Sequence, residues 1–358
     1  MEQHGYKMIG LMSGTSMDGI DISFAHYFNK DEQWDFELLA TDSIEYPDNL
    51  FQLLKNATKL SAIELFELDH QLAMFYADKV NAFLTQFSIK KSEVSAIASH
   101  GHTIFHQPQK GITVQIGCGT TLANATQLNV INDFRKRDVI SGGQGAPLVP
   151  IGDFSLKQFQ ADSFLNIGGF ANISFKQDAK IRAFDICPAN ILINWYMRQI
   201  GHSFDAEGKI ARSYPIENNL LDQLNAIPIY HQEQPQSLGI EWLEKNVLPI
   251  LDTYECSDES KVATITEHVA QQISNRLNQH VLKSVFISGG GTKNHYLVER
   301  IAHFYEGDII VPSEQLIDFK EAIIFGFLGV LFLEKKPNCL ASVTGAPRDV
   351  IGGTFHSA

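Results

Sequence analysis

A glycine-rich stretch near the start of the chain, GLMSGTSMDGID at residues 10–21, limits the possible folds more than any other feature. The apolar residues Met8 and Ile9 precede it, and apolar and polar residues alternate after it through residues 20–25. This pattern predicts a strand, a glycine turn and a second strand. Such an arrangement is a β-hairpin rather than a strand that feeds a helix.

The predicted turn carries groups that suit a phosphate or a divalent cation. Gly14 and Gly19 let a ligand approach the backbone closely, and successive backbone N–H groups form an anion-binding concavity in such turns. The turn has no lysine and no GxxxxGK[ST] motif, so it is not a Walker loop. Its polar side chains are hydroxyls and carboxylates, and the carboxylates can hold a cation through water: Ser13, Thr15, Ser16, Asp18 and Asp21. The residues alone leave an ordinary hairpin tip as the alternative.

Two further glycine turns follow predicted strands in the second half of the chain, NIGGFAN at 166–172 and SGGGTKN at 288–294. Each turn alone is a weak signal. The hairpin with a glycine turn appears near the start of each half, which predicts two related α/β domains that face a cleft. Three such turns suit a nucleotide clamp, and three tight turns without a ligand are the alternative.

Length and charge exclude several classes of protein. A chain of 358 residues suggests two domains, and its net charge of −13 argues against nucleic acid or an anionic membrane as a partner. An anionic substrate therefore needs a local positive site. The start of the chain lacks a signal-peptide core, and the longest apolar run, residues 322–333, is too short to span a bilayer. The four distant cysteines, without a CxxC motif, fit a reducing cytoplasm.

Asp185 is the first candidate for catalysis. It follows a predicted strand at 181–184, and α/β proteins place reactive groups at strand ends beside a cleft. A carboxylate ionised at neutral pH accepts a proton from a water or hydroxyl held against it. Aspartate is also a common helix N-cap, and a helix is predicted after Pro188, so both roles stay open.

Two groups of basic residues are candidates for substrate contacts. The segment NDFRKRD, residues 132–138, concentrates Arg135, Lys136 and Arg137 in an acidic chain. One of them could hold an anionic substrate group, and an arginine suits this best because its guanidinium matches a carboxylate. A solvated turn is the alternative there. The pattern H-x-H-x3-H joins His100, His102 and His106, and alternate strand positions share a face that suits zinc. Because no fourth ligand is evident, we expect hydrogen-bonded or sugar-contacting histidines and no structural zinc.

With these residues in view, the sequence resembles the anhydro-N-acetylmuramic acid kinases, members of the actin/hexokinase/Hsp70-type ATPase superfamily. The resemblance runs nearly end to end through MSGTSMDGID, SHGHTIFHQP, DFRKRDVISGGQGAPLVP, LNIGGFANIS, FDICPAN, FISGGGTKN, KEAIIFGFLG and SVTGAPRDVIGG. It implies an α/β fold with two related actin-like ATPase (ribonuclease H-like) domains around a deep cleft. The implied domains are residues 1–133 with a tail at about 338–358, and residues 134–337.

The resemblance also implies roles for individual residues. The ATP-phosphate hairpin comprises Gly14, Thr15, Ser16, Met17, Asp18, Gly19, Ile20 and Asp21. The second phosphate turn includes Gly168, Gly169 and Asn172, and the adenosine side includes Gly289, Gly290 and Gly291. Asp185 matches the catalytic aspartate, and the substrate side takes Arg135, His102 and Glu321. The implied cofactors are ATP and Mg²⁺, with Asp18 and Asp21 holding the magnesium through water.

The implied reaction opens the 1,6-anhydro bridge of 1,6-anhydro-N-acetylmuramic acid and phosphorylates O6, giving N-acetylmuramic acid 6-phosphate in cell-wall murein recycling. The implied setting is the cytoplasm, with the sugar as partner and a homodimer as a possible assembly. Two other classes stay open: a non-enzymatic ATP-switched protein of the same fold, and a metal-dependent sugar hydrolase that uses the histidines.

Three departures from the family pattern bear on sugar contacts. Ile186, Cys187 and Ala189 stand where the family has a small hydroxyl residue or glycine and then two glycines around Pro188. That segment therefore cannot rely on positive φ angles. His102 replaces the usual glutamine. In QSLGIEW, Gln236 and Ile240 replace a more typical lysine and arginine.

Overall fold

The computed structural model describes residues 5–14, 19–232 and 238–358, so the predicted roles of Thr15, Ser16, Met17, Asp18 and Gln236 lie outside the described residues. The chain forms two compact units. Unit 1 comprises Met1–Gln160 and Phe319–Ala358, and unit 2 comprises Ala161–Asp318. The limits thus differ from those drawn on the sequence, because residues near 135 and 323 bond within unit 1. Arg135 donates to His100, and the Tyr27 hydroxyl donates to the carbonyl oxygen of Ile323.

The described residues form strands and helices in alternation. The strands are, in chain order, β1 (Gly5–Met12), β2 (Gly19–Lys30), β3 (Gln33–Glu45), β4 (Ala96–Ser99), β5 (His102–Gln107), β6 (Ile112–Ile116), β7 (Val130–Asn132), β8 (Ser163–Ile167), β9 (Phe170–Gln177), β10 (Lys180–Pro188), β11 (Ser284–Ser288), β12 (Asp308–Ile310) and β13 (Thr354–His356). The helices are α1 (Asp48–Lys55), α2 (Ala62–Gln86), α3 (Gly119–Thr126), α4 (Lys136–Ile140), α5 (Pro150–Ser155), α6 (Asn190–Gln199), α7 (Lys209–Ser213), α8 (Asn218–Asn225), α9 (Ile240–Asn246), α10 (Leu248–Thr253), α11 (Asp258–Gln279), α12 (His295–Phe304), α13 (Glu314–Leu333) and α14 (Ala341–Thr344). The predicted α/β fold is confirmed.

The two units repeat one strand arrangement. In unit 1 the order is β13-β7-β4-β1-β2-β3, with β1, β2 and β3 antiparallel and β4 and β7 parallel to β1. In unit 2 the order β10-β9-β8-β11-β12 has the same antiparallel triplet and the same two parallel strands. The repeated glycine turn predicted two related domains, and the two units do share one strand topology.

The core of unit 1 forms on both faces of β1. Residues 8–12 of this strand are all buried, as expected for a central strand covered by helices. Helix α13 comes so close that a Cβ atom on Gly10 would lie 1.9 Å from the carbonyl oxygen of Ala322. Helix α13 begins at Glu314, before the apolar run at residues 322–333, because Leu316 and Phe319 extend its apolar periodicity.

Helix α7 follows the buried residue Asp205, whose side chain fixes the first turn of the helix. The carboxylate of Asp205 accepts the backbone N–H groups of Ile210 and Ala211 at 2.9 Å, which initiates a helical turn. Across the described ranges, no helix is both long and apolar enough to cross a membrane.

Candidate functional site

Asp185 lies in strand β10, opposite Asn172 of β9, at a point where the register shifts before Cys187. One carboxylate oxygen accepts the backbone N–H of Leu238 at 2.8 Å. Burial raises the pKa of Asp185, and the bond from Leu238 opposes part of that shift. The N-cap of α6 is Ala189, so the helix-cap alternative for Asp185 is wrong.

The second glycine turn is tied to the start of α6. Gly168 and Gly169 connect β8 to β9, and their carbonyl oxygens accept the backbone N–H groups of Ala189, Asn190 and Ile191 at 2.8–3.2 Å. The side-chain amide of Asn190 also donates to the carbonyl oxygen of Ile167. The turn, the end of β10 that carries Asp185 and the start of α6 therefore hold one another in place.

The third glycine turn packs against the second. Ser288 ends β11 and lies opposite Asn166 of β8. Gly289 follows with φ of +83°, and a Cβ atom there would lie 2.4 Å from the Asn166 amide oxygen, so only glycine fits. No atom lies within 4 Å of the Cβ position on Gly290. Unit 2 thus brings together Asp185, Gly168, Gly169, Asn172, Gly289, Gly290 and Gly291.

The first hairpin is confirmed in unit 1. Strands β1 and β2 pair from Gly5 opposite Phe28 to Met12 opposite Asp21, so Asp21 lies at the foot of the turn. The Asp21 carboxylate accepts the Ser43 hydroxyl at 2.7 Å. The side chain of Ile20 is fully buried, which leaves its backbone as the group that can meet a ligand.

Ser13 enters this turn inside a chain of hydrogen bonds that the sequence did not reveal. The Tyr46 hydroxyl donates to Ser13 Oγ at 2.6 Å, and the Tyr76 hydroxyl lies 3.1 Å from that of Tyr46. Ser13 Oγ lies 2.9 Å from His102 Nδ1. His102 is buried, which lowers its pKa. The first glycine turn marked Ser13 and the SHGH motif marked His102. No motif marked Tyr46 or Tyr76, which come from a loop and a helix far along the chain.

Arg135 follows β7 and points its guanidinium at His100. Nε and Nη2 donate to His100 Nε2 at 3.1 and 2.9 Å, and Nη1 donates to the carbonyl oxygen of Gly145 at 2.8 Å. Arg135 is half-buried with these partners, whereas Lys136 and Arg137 are exposed. The solvated-turn alternative is therefore wrong for Arg135. Lys136 and Arg137 are exposed, but they begin helix α4 rather than lie in a turn.

Glu321, near the start of the unit 1 part of α13, provides the opposite charge. Burial raises the pKa of its carboxyl, and the positive charge of Arg135 opposes that shift. Burial likewise lowers the pKa of Arg135, and Glu321 opposes that change. The structure therefore brings Arg135 and Glu321 together as interacting charges in unit 1.

The three histidines have hydrogen-bond partners of their own. His106 Nδ1 lies 3.1 Å from Thr113 Oγ1, and His100 precedes β5 rather than sharing its face. Within the part of the chain that the structure describes, no three His, Cys, Asp or Glu side chains converge in a way that could hold a metal ion. The geometry of these residues therefore does not support the sugar-hydrolase alternative.

Comparisons with known proteins give a consistent family. A sequence model described as anhydro-N-acetylmuramic acid kinase matches residues 6–358. Proteins of that same name are similar to this chain in Hahella chejuensis (34% identity, 98% of both chains), Shewanella amazonensis (36%, 98% of both) and Haemophilus influenzae (35%, 97% of both).

Among solved structures, the chain is similar to an activator of 2-hydroxyisocaproyl-CoA dehydratase from Clostridium difficile with bound ADPNP. That match has 12% identity and a TM-score of 0.44, and it covers 92% of this chain and 97% of the other. A ROK hexokinase from Thermus thermophilus matches with 13% identity and a TM-score of 0.38, covering 90% and 99%.

Proposed function

The chain belongs to the anhydro-N-acetylmuramic acid kinase family, and we propose that Asp185 is the catalytic base of its reaction. As a sugar kinase, it uses ATP to convert 1,6-anhydro-N-acetylmuramic acid to N-acetylmuramic acid 6-phosphate. The observation that carries the role of Asp185 is its position: a half-buried carboxylate at a strand irregularity, beside two glycine turns, with a raised pKa. A base works best when its pKa approaches the working pH.

The proposed reaction needs one base because O6 of the substrate is already bonded to C1. Asp185 takes a proton from a water molecule, whose oxygen attacks C1 from the face opposite the bridge. The C1–O6 bond breaks as the new C1–O bond forms. O6 then bonds to the γ-phosphorus, the bond to the β-phosphate oxygen breaks, and ADP leaves. The proton from water remains on Asp185 until release.

The glycine turns supply the proposed nucleotide contacts. Backbone N–H groups of residues 14–21 and of Gly168, Gly169 and Asn172 face the phosphates in this proposal, and Gly289, Gly290 and Gly291 receive the nucleoside. Support comes from the third turn, where Gly289 admits no side chain and Gly290 has open space beside it. Backbone donors at such turns suit phosphate oxygens.

Magnesium fits this site as a partner of the nucleotide rather than of a protein cage. Asp21 lies at the foot of the turn, and no closed set of three metal ligands exists among the described residues. Asp21 would hold the ion through water, as is common where phosphates supply other ligands. A bound Mg²⁺ neutralises charge on the phosphates. Asp18, the second proposed carboxylate, lies outside the described residues.

Arg135 is the proposed contact for the sugar's carboxylate. His100 and Gly145 use three of its five N–H groups, which leaves two for a substrate or for Glu321. The half-buried guanidinium of Arg135 provides the local positive charge that an acidic protein needs to hold an anion. His102 and Glu321 are the other proposed sugar contacts.

The altered loop after Asp185 is compatible with this role. Cys187 and Pro188 continue β10, paired with Ala171 and Phe170, and Ala189 has a φ of −122°. None of these positions requires glycine. We also propose a cytoplasmic location, since all four cysteines are free thiols, and a homodimer as the assembly.

Isotope labelling tests the proposed reaction directly. In ¹⁸O-water the product should carry the label on its anomeric hydroxyl, and the ester oxygen at C6 should stay unlabelled. The sample is quenched early and compared with unlabelled product incubated for the same time, because the anomeric hydroxyl exchanges with solvent. Label at the C6 oxygen, or faster turnover of free N-acetylmuramic acid, would contradict the coupled mechanism.

A further inference from the structure

We propose that His100 is a positioning residue that couples the sugar-binding Arg135 to the nucleotide turn entered at Ser13. The proposal rests on the proposed function, since it assigns the anion to Arg135 and the phosphates to the first hairpin. It gives a specific role to His100, which the histidine motif marked only as a zinc candidate or a hydrogen-bonded or sugar-contacting residue. According to this proposal, binding of the sugar at Arg135 changes the affinity for the nucleotide at the first hairpin, and binding of the nucleotide changes the affinity for the sugar.

The first step is the direction of the hydrogen bonds to His100. Nε2 receives two N–H donors from Arg135, so it carries no proton. Nδ1 lies 3.2 Å from the carbonyl oxygen of Ser13, which can only accept, so Nδ1 carries the proton and donates. The contacts therefore select one neutral tautomer, with each ring nitrogen committed to a different partner.

The second step is that the surroundings of the His100 ring hold it in one orientation and in its neutral form. His100 is buried, and its ring packs on Phe325 with the ring centres 4.8 Å apart. Phe325 in turn packs edge-on against Phe134. Burial, and then the positive charge of Arg135, lower the pKa of His100 to about 3. The imidazole is thus a fixed, uncharged link.

The third step is what the link holds at each end. At one end, Ser13 has its carbonyl held by His100 and its hydroxyl held by Tyr46 and His102, so its conformation sets how the chain enters the turn. At the other end, Arg135 is anchored by His100 and by Gly145. A bound carboxylate attracts the guanidinium of Arg135, and the His100 ring that is hydrogen-bonded to this guanidinium shifts with it. Because the ring is rigid, the shift reaches the carbonyl oxygen of Ser13. Coupling of this kind amounts to about 5- to 150-fold in affinity.

Two substitutions separate the two bonds. The amide of His100→Asn can place a donor near the Nδ1 position and keep the Ser13 bond, but it provides no acceptor for Arg135. The amide of His100→Gln reaches the Nε2 position and can accept from Arg135, but it loses the bond to Ser13. Both variants should therefore weaken coupling, for different reasons. His70→Gln is the matched control, because His70 is exposed on α2 and its Nδ1 lies 3.1 Å from Thr121 Oγ1, away from Ser13 and Arg135.

Calorimetry measures the coupling with two probes, AMP-PNP with Mg²⁺ and 1,6-anhydro-N-acetylmuramic acid. Each is titrated alone and with the other saturating. We expect at least a fivefold change in affinity in the wild type and in His70→Gln, and less than twofold in both His100 variants. His100→Gln should bind the sugar alone within about threefold of wild type, and His100→Asn should do the same for the nucleotide alone.

An absence of coupling in the wild type, or coupling unchanged in both variants, would overturn the proposal. If the wild type binds nucleotide but no sugar, the proposed function fails instead. Nitrogen-15 NMR of histidine gives a readout that does not depend on ligands or on the folding of variants. It should show His100 with a protonated Nδ1 and a bare Nε2, neutral at pH 5. The opposite tautomer, or titration near pH 6.5, would refute the link.

Discussion

Asp185 faces Asn172 across the paired strands β10 and β9, and its carboxylate accepts the backbone N–H of Leu238. A strand position is rigid, so the carboxylate is held by backbone pairing on one side and by a single bond on the other. Burial raises the pKa of the Asp185 carboxyl. Asp185 does not cap a helix, since the N-cap of α6 is Ala189. Removal or protonation of this base should therefore lower the rate of the reaction.

Replacing Asp185 by Asn should lower turnover by at least about a hundredfold, because a positioned base contributes that much. ATP affinity should stay within a few-fold of wild type, since the phosphate turns are untouched. Asp178→Asn is the matched control, on the exposed connection between β9 and β10. Steady-state kinetics with nucleotide titration measure both, and turnover near wild type would deny Asp185 the role of base.

The acid limb of kcat/KM should lie above the ordinary aspartate pKa of 3.8, because burial raises the pKa of Asp185. The base must be ionised, so activity is full above this pKa and falls as the pH drops through it. A pH–rate profile in buffers of constant ionic strength measures the limb. An acid limb at or below 3.8 would mean that another group limits activity.

Arg135→Lys should raise the KM for the sugar at least tenfold with a much smaller effect on ATP. A lysine cannot donate to His100 and Gly145 at once while offering further N–H groups to a carboxylate. Arg137→Lys provides the comparison, since Arg137 is exposed and bonds to the carbonyl oxygen of Ile351. Equal KM values for the two variants would place the sugar elsewhere.

Asp21→Asn should weaken the magnesium dependence of ATP binding, because the turn has no lysine to neutralise phosphate charge. Asp18→Asn tests the other predicted carboxylate, and Asp31→Asn at the distant turn of β2 and β3 serves as control. Titrations of ATP at several magnesium concentrations measure the effect. If the curves of Asp18→Asn and Asp21→Asn both coincide with the wild type, these carboxylates only shape the turn.

His268 should make the protein less stable as the pH falls from 6.5. It is buried in unit 2, where Nδ1 lies 2.7 Å from Asn225 Oδ1, and burial lowers its pKa to about 3. Between these values the unfolded chain binds the extra proton, so stability rises with pH by up to about 1.4 kcal/mol per unit. His268→Asn should flatten this slope in urea titrations between pH 5 and 6.5. An unchanged slope would show that His268 does not titrate on unfolding.

Local pattern was enough to predict the two hairpins and the helix after Pro188. The first hairpin follows from alternation and glycine spacing, and the second follows from the glycine turn at residues 166–172. Such features depend on residues a few positions apart, where periodicity is informative.

Contacts between distant segments were not predictable in the same way. Strand ends and the resemblance to the family singled out Asp185 and Arg135, but not the bond from Leu238 or the acceptor on His100. The link from Tyr46 to Ser13 and the initiation of α7 by Asp205 likewise depend on how chain segments meet. Hydrophobic periodicity carries no information about which polar groups become neighbours.

The discontinuity of unit 1 imposes an order on biosynthesis. Residues Ala161–Asp318 leave the ribosome as one uninterrupted segment and can complete their own core. Unit 1 lacks most of α13 and its edge strand β13 until residues Phe319–Ala358 have been made. Because domains generally fold as units during synthesis, at roughly 5–20 residues per second, the part of the chain made first should be the last to reach its native packing. During that interval the face of β1 that α13 later covers stays open to chaperones.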